Sequence, residues 1–163
     1  MSAPKSVILL VSSEMPDVNG KQVTFNSDKN VVLTSSSTGD RPRFLFNENE
    51  SVIVTEGGSG QEFLFVSGPS GRGPYQLEAS SEIQPFGVGL QIFHNSWIKA
   101  SLSGSGHSSL AIGDENINDG HWVAWRDPEG NGEWSVYWVT PRPYNMDDLP
   151  GAVPIVLTLR SIE

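Results

Sequence analysis

The sequence predicts an all-β protein: one antiparallel β-sandwich domain over residues 1–163, with a β-trefoil or other β-barrel as the alternative. Three observations predict it. Short runs rich in Val, Ile, Phe, Trp and Tyr recur along the whole chain, and these residues suit a pleated, half-buried surface. Turn-forming clusters separate them, drawing on 17 Gly and 11 Pro. No segment holds a helical period over three turns, although residues 144–149 could form a single one. About a dozen strands would suit a trefoil, yet the sequence carries no threefold repeat and no recurring Gln-x-Trp element.

Taken in order, the first strand is expected at 7–12, ended by a loop that closes on Asn19-Gly20. Alternation then marks 22–26 and 31–35. Runs 43–47 and 51–56 flank Glu48-Asn49-Glu50 as a hairpin, and 61–67 continues the meander, with Phe44, Phe46, Val52, Val54, Phe63 and Phe65 expected in the core. A short strand at 75–79 follows the Gly/Pro-rich stretch 68–74. Runs 87–93 and 97–103 flank His94-Asn95-Ser96 as a second hairpin, and 107–112 comes next. The acidic stretch 113–120 leads into 121–126 and 133–140, and a proline-punctuated loop at 141–150 precedes the closing strand at 153–160.

The most strongly marked element is the hairpin over 121–140, which holds four of the five tryptophans. Its turn, Asp-Pro-Glu-Gly-Asn-Gly, combines a φ-locked residue with two that accept positive φ. An even-numbered loop would place His121, Val123 and Trp125 with Trp134, Val136 and Trp138 on the core face. Trp122, Ala124 and Arg126 would then share the outer face with Glu133, Ser135 and Tyr137. An odd loop would exchange these partners. On the even reading, Trp122 and Tyr137 form an aromatic platform in water.

Charge and composition narrow the function. Net charge is −9, from 19 acidic and 10 basic residues, with no basic run. A nucleic-acid groove needs clustered Lys and Arg, and so does attraction to anionic lipid. Cysteine is absent, so disulfides, thiolate nucleophiles and zinc–thiolate sites are excluded. The apolar run at 7–11 is short for a signal peptide and meets Glu14. No stretch has the length of a membrane span, and the expectation is a cytoplasmic protein.

Catalytic motifs are weak. No Gly-x-Ser-x-Gly elbow precedes a helix, and Gly57-Gly58-Ser59-Gly60 and Gly104-Ser105-Gly106 read as turns between strands. His94, His107 and His121 lack metal-ligand spacing. The one cation candidate is calcium, on Asp114, Asn116, Asn118 and Asp119 with Asp127 (and Glu129) from the next turn. A solvated acidic turn is the preferred reading of that run, and no cofactor is expected. Glu78, Glu82, Asp114, Asp119 and Glu133 offer carboxylates for glycoside hydrolysis, but nothing in the sequence selects a pair.

A non-enzymatic, lectin-like glycan-binding protein is therefore expected. Its ligand-binding residues would be Trp122, Tyr137, Arg126, Glu133, Asn116, Asn118, Asp119 and Asn131, because a sugar's apolar face suits an aromatic plane and its hydroxyls suit amides and carboxylates. The second expectation is a β-sandwich cytolysin directed at membrane lipid, and the third a loop-presenting inhibitor or protein-interaction domain. A homodimer follows from the tendency of edge strands to be covered.

Overall fold

The computed structural model describes residues 5–26, 30–34, 43–56, 61–69, 73–82, 90–101, 108–130, 132–141 and 149–161. Among the described residues there are strands and no helix. In chain order these are β1 (Lys5–Ser12), β2 (Gln22–Phe25), β3 (Val31–Thr34), β4 (Phe44–Asn47), β5 (Val52–Thr55), β6 (Phe63–Pro69) and β7 (Tyr75–Ser80). They continue with β8 (Leu90–Phe93), β9 (Trp97–Ser101), β10 (Ser108–Ile112), β11 (His121–Arg126), β12 (Trp134–Val139) and β13 (Val153–Ser161). The fold is all-β and antiparallel, as the sequence predicts.

All of these strands belong to one 13-stranded sheet that folds back on itself through the pairings β3–β12 and β1–β13. Three hairpin-bearing units follow one another, with pairings that differ in detail: β1 bonds β4 and β10 bonds β13, whereas β5 bonds β6 and β9 bonds β10. Pairs β4–β5, β9–β10 and β13–β1 join successive units. Each unit contributes one hairpin, respectively β2–β3, β6–β7 and β11–β12. The three hairpins converge: β12 bonds both β3 and β7, and β3 packs against β7. This closed arrangement is consistent with the sandwich or barrel-like all-β fold that the sequence predicts, with β8 added on the free side of β6. Closure satisfies backbone groups that open edges would leave exposed.

Two expectations are corrected. The turn at 94–96 is not a hairpin: β8 bonds β6 while β9 bonds β10. The corner is held elsewhere, with the Trp97 amide donating to the Ser51 carbonyl at 3.1 Å and the Gly113 amide to the Ser96 carbonyl at 2.7 Å. In the meander, Phe44, Phe46 and Phe65 are buried as expected, while on β5 and β6 the innermost positions go to Ile53, Leu64 and Val66. Val52, Val54 and Phe63 are half-buried, because alternation on β5 and β6 turns the neighbouring residues inward.

Three indoles tie the second and third units together. Trp97 stacks on Trp122 (centroids 6.0 Å apart, planes at 13°), and Trp122 meets Trp138 edge-on at 4.9 Å. A buried indole N–H needs an acceptor. Trp97 donates to the Leu64 carbonyl at 3.0 Å, Trp122 to Leu110 at 2.7 Å and Trp138 to Ile117 at 2.8 Å. Gly120 makes room for the last of these, since a Cβ there would lie 2.5 Å from Trp138 Nε1.

Candidate functional site

The loop of the Trp-rich hairpin runs from Asp127 through Glu133, an odd number of residues, so like parities pair: Trp122 with Trp138, Ala124 with Val136, Arg126 with Trp134. The even-loop reading is thereby overturned. Trp122, Ala124, Trp134, Val136 and Trp138 form the core face. His121, Val123 and Trp125 share the outer face with Ser135, Tyr137 and Val139. Trp122, expected in water beside Tyr137, is 3 % exposed and on the opposite face. His121, expected in the core, is exposed.

The other expected ligand-binding residues are dispersed. Arg126 is exposed, and its guanidinium lies over the Trp134 ring at 4.9 Å, covering the rim of the core through a cation–π contact. Glu133 accepts from Asn26 Nδ2 at 2.9 Å, a tie between the third hairpin and the first. Asn116, Asn118 and Asp119 are exposed on the turn before β11. Asn131 and His107 lie outside the described residues, as do Ser59 and Ser105 in the glycine-rich stretches. His94 meets Phe63 edge-on at 6.0 Å.

The calcium candidates cap turns. Asp114 Oδ1 accepts the Asn116 amide at 2.9 Å, and Asp127 Oδ1 accepts the Glu129 amide at 2.9 Å, the Asx-turn bond that short carboxylates make with backbone two residues on. Among the described residues no three His, Asp or Glu side chains gather as a cation would require.

The outer face gathers a different set. Cross-strand pairing places Ile92, Ser67, Gln76, Tyr137 and Val123 in one row over β8, β6, β7, β12 and β11. Next to that row, Glu78 pairs with Phe65, and Ser135 with Trp125. Trp125 and Tyr137 meet edge-on, with centroids 6.0 Å apart and planes at 80°. Both rings are half-buried, packed over a small cluster of Val123, Val139, Leu149 and Ala152. The Trp125 indole donates to the Pro150 carbonyl at 3.0 Å, which fixes the ring's orientation.

Polar groups surround this pair. Ser67 Oγ donates a hydrogen bond to Glu78 Oε2. Burial raises the Tyr137 phenol above its ordinary value, and the nearby negative charges of Glu78 and Asp127 raise it further. The phenol thus keeps its proton and remains a donor at neutral pH, beside two carboxylate acceptors. Gln76, Ser67 and Ser135 are half-exposed in the same neighbourhood. The arrangement offers an apolar ring surface with donors and acceptors at its margin.

Sequence reasoning found Tyr137 here but assigned Trp125 to the core, and it weighed Glu78 and Asp127 for other roles. The signal that was present is the loop's odd length, which alone fixes which tryptophan faces out. Comparison with protein-family models, with curated proteins and with solved structures gives no match. Among the described residues no helix is long and apolar enough to cross a membrane.

Proposed function

We propose that the protein binds a carbohydrate, without catalysis, on the outer face of β6, β7, β12 and β11. The observation that carries this reading is the half-exposed Trp125–Tyr137 pair with Glu78 and Asp127 beside the phenol. The aliphatic C–H face of a pyranose fits against an aromatic ring. Its hydroxyls each donate and accept, so a phenol, two carboxylates, an amide and two serines can satisfy them. Two rings pre-set by packing and by the Pro150 carbonyl lose little entropy on binding. A symmetric dimer, expected from the edge strands, would present two such faces; light scattering measures it directly.

A glycan array with the purified protein tests the reading. The expected result is selective binding to related glycans, lost in Trp125→Ala and Glu78→Gln and kept in Arg126→Ala. A blank array with the wild type, or binding unchanged in Trp125→Ala, overturns it.

A further inference from the structure

A second site stands at one mouth of the closed sheet. Four polar side chains there are cross-strand partners of core residues and so belong to the inward-facing set. Lys5 pairs with Phe46, Ser161 with Val7, Ser108 with Leu159 and Lys99 with Leu110. The strands that carry them are consecutive neighbours, β1, β13, β10 and β9. Around the mouth the order is therefore Lys5, Ser161, Ser108, Lys99, with both hydroxyls between the two lysines. Glu48, at the end of β4, closes the ring, lying 3.7 Å from Lys5 Nζ and 3.1 Å from Lys99 Nζ.

These residues and Arg160 line a cavity of about 330 Å³, floored by Val7, Phe46 and Leu159. Two lysines against one carboxylate leave the pocket with an excess of positive charge, in a chain whose net charge is −9. Stability alone gives weak reason for this concentration, because exposed ion pairs contribute little. The Glu48 carboxylate shows where the ring holds negative charge: two ammonium groups meet it, one at each oxygen.

From this geometry we infer that the mouth is a binding site for a phosphate monoester on a small soluble molecule. Lysine ammonium groups act on phosphate as point charges with rotatable donors. Donors carried on four strands around one cavity suit a tetrahedral oxyanion better than a planar one. The cavity is near the lower end of ligand-pocket volumes, roughly 300–1,000 Å³, which leaves room for a small organic group. The apolar floor strengthens attraction to an anion by keeping water from one side.

The test is a calorimetric and thermal-shift titration with inorganic phosphate and glucose 6-phosphate, at constant ionic strength made up with chloride. A saturable rise in Tm is expected for both ligands. In a Lys5→Met/Lys99→Met double variant the rise disappears. Glu48→Gln removes the competing carboxylate and tightens phosphate binding, roughly fivefold by the charge removed near solvent. Two results overturn the inference: no saturable response in the wild type, or an equal response in the double variant. If the double variant does not fold, Glu48→Gln decides, since a ring that only seals the barrel loses stability there with no gain in phosphate affinity. Trp125→Ala leaves phosphate binding unchanged, so the two sites fail separately. Sedimentation with phosphatidate vesicles, without any response to the soluble phosphates, overturns the soluble ligand.

Discussion

Replacing Trp122 by alanine should unfold a large part of the protein's stability margin. The side chain is 3 % exposed, stacked on Trp97 and edge-on to Trp138. Truncating a buried Trp costs about 3–5 kcal/mol in lost burial and cavity formation. The Leu110 carbonyl also loses the indole donor now at 2.7 Å, and an orphaned buried acceptor adds about 1–3 kcal/mol. Against a typical total of about 5–15 kcal/mol, the combined loss of about 4–8 kcal/mol removes between roughly a quarter of the margin and all of it. Tm should fall by at least about 8 °C, at roughly 2–4 °C per kcal/mol for a chain of this size. Urea unfolding followed by tryptophan fluorescence measures the change. Trp122→Phe retains most of the ring and should cost less than Trp122→Ala. A Trp122→Ala loss under about 1 kcal/mol, small beside the ordinary cost of such truncations, would refute the register and the core built on it.

Gly120→Ala should destabilise by about 1–3 kcal/mol, the usual cost of overpacking. Its Cβ would meet Trp138 Nε1 at 2.5 Å and the Val139 carbonyl at 2.7 Å; thermal melts compare it with Gly132→Ala, where the Cβ meets nothing within 4 Å and only the positive φ is strained. Tyr137 should ionise above the ordinary phenol value of 10.0, and Glu78→Gln should bring its titration back toward that value. Ultraviolet difference titration, with Tyr137→Phe as the blank, reads this. The linked stability follows in sign: as pH rises past 10.0 the unfolded phenol loses its proton before the folded one. The folded state then binds more protons, so stability falls with rising pH until the folded phenol also ionises. A Tyr137→Phe variant should lose that part of the alkaline dependence, and an identical pH profile in the variant would contradict the burial assigned to the phenol.

The strands were legible because alternation and turn residues are local properties. Residues 121–126 coincide with β11, and most other runs agree within one or two residues, the ordinary uncertainty of strand ends. Pairing was less legible. Nothing within 87–103 announces that β8 turns to β6 and β9 to β10, since those partners lie outside the segment itself. The three converging hairpins leave no repeat in the sequence because they meet with unlike side chains. The site depended on one parity. Trp125 and Trp122 are three residues apart on one strand and have equal claims to the core. Only the odd loop from Asp127 through Glu133 decides between them. Glu78 carried no local signal at all, because its place beside Tyr137 comes from the β7–β12 pairing, between strands far apart in the chain.

The most direct test of the glycan-binding face follows the indole N–H resonances while the array's best glycan is titrated. The Trp125 N–H, held by Pro150 at the surface, should shift with saturation. Those of Trp97, Trp122 and Trp138, bonded to core carbonyls, should stay in place. A glycan that binds while leaving Trp125 unshifted would contradict the assignment of this face as the binding site.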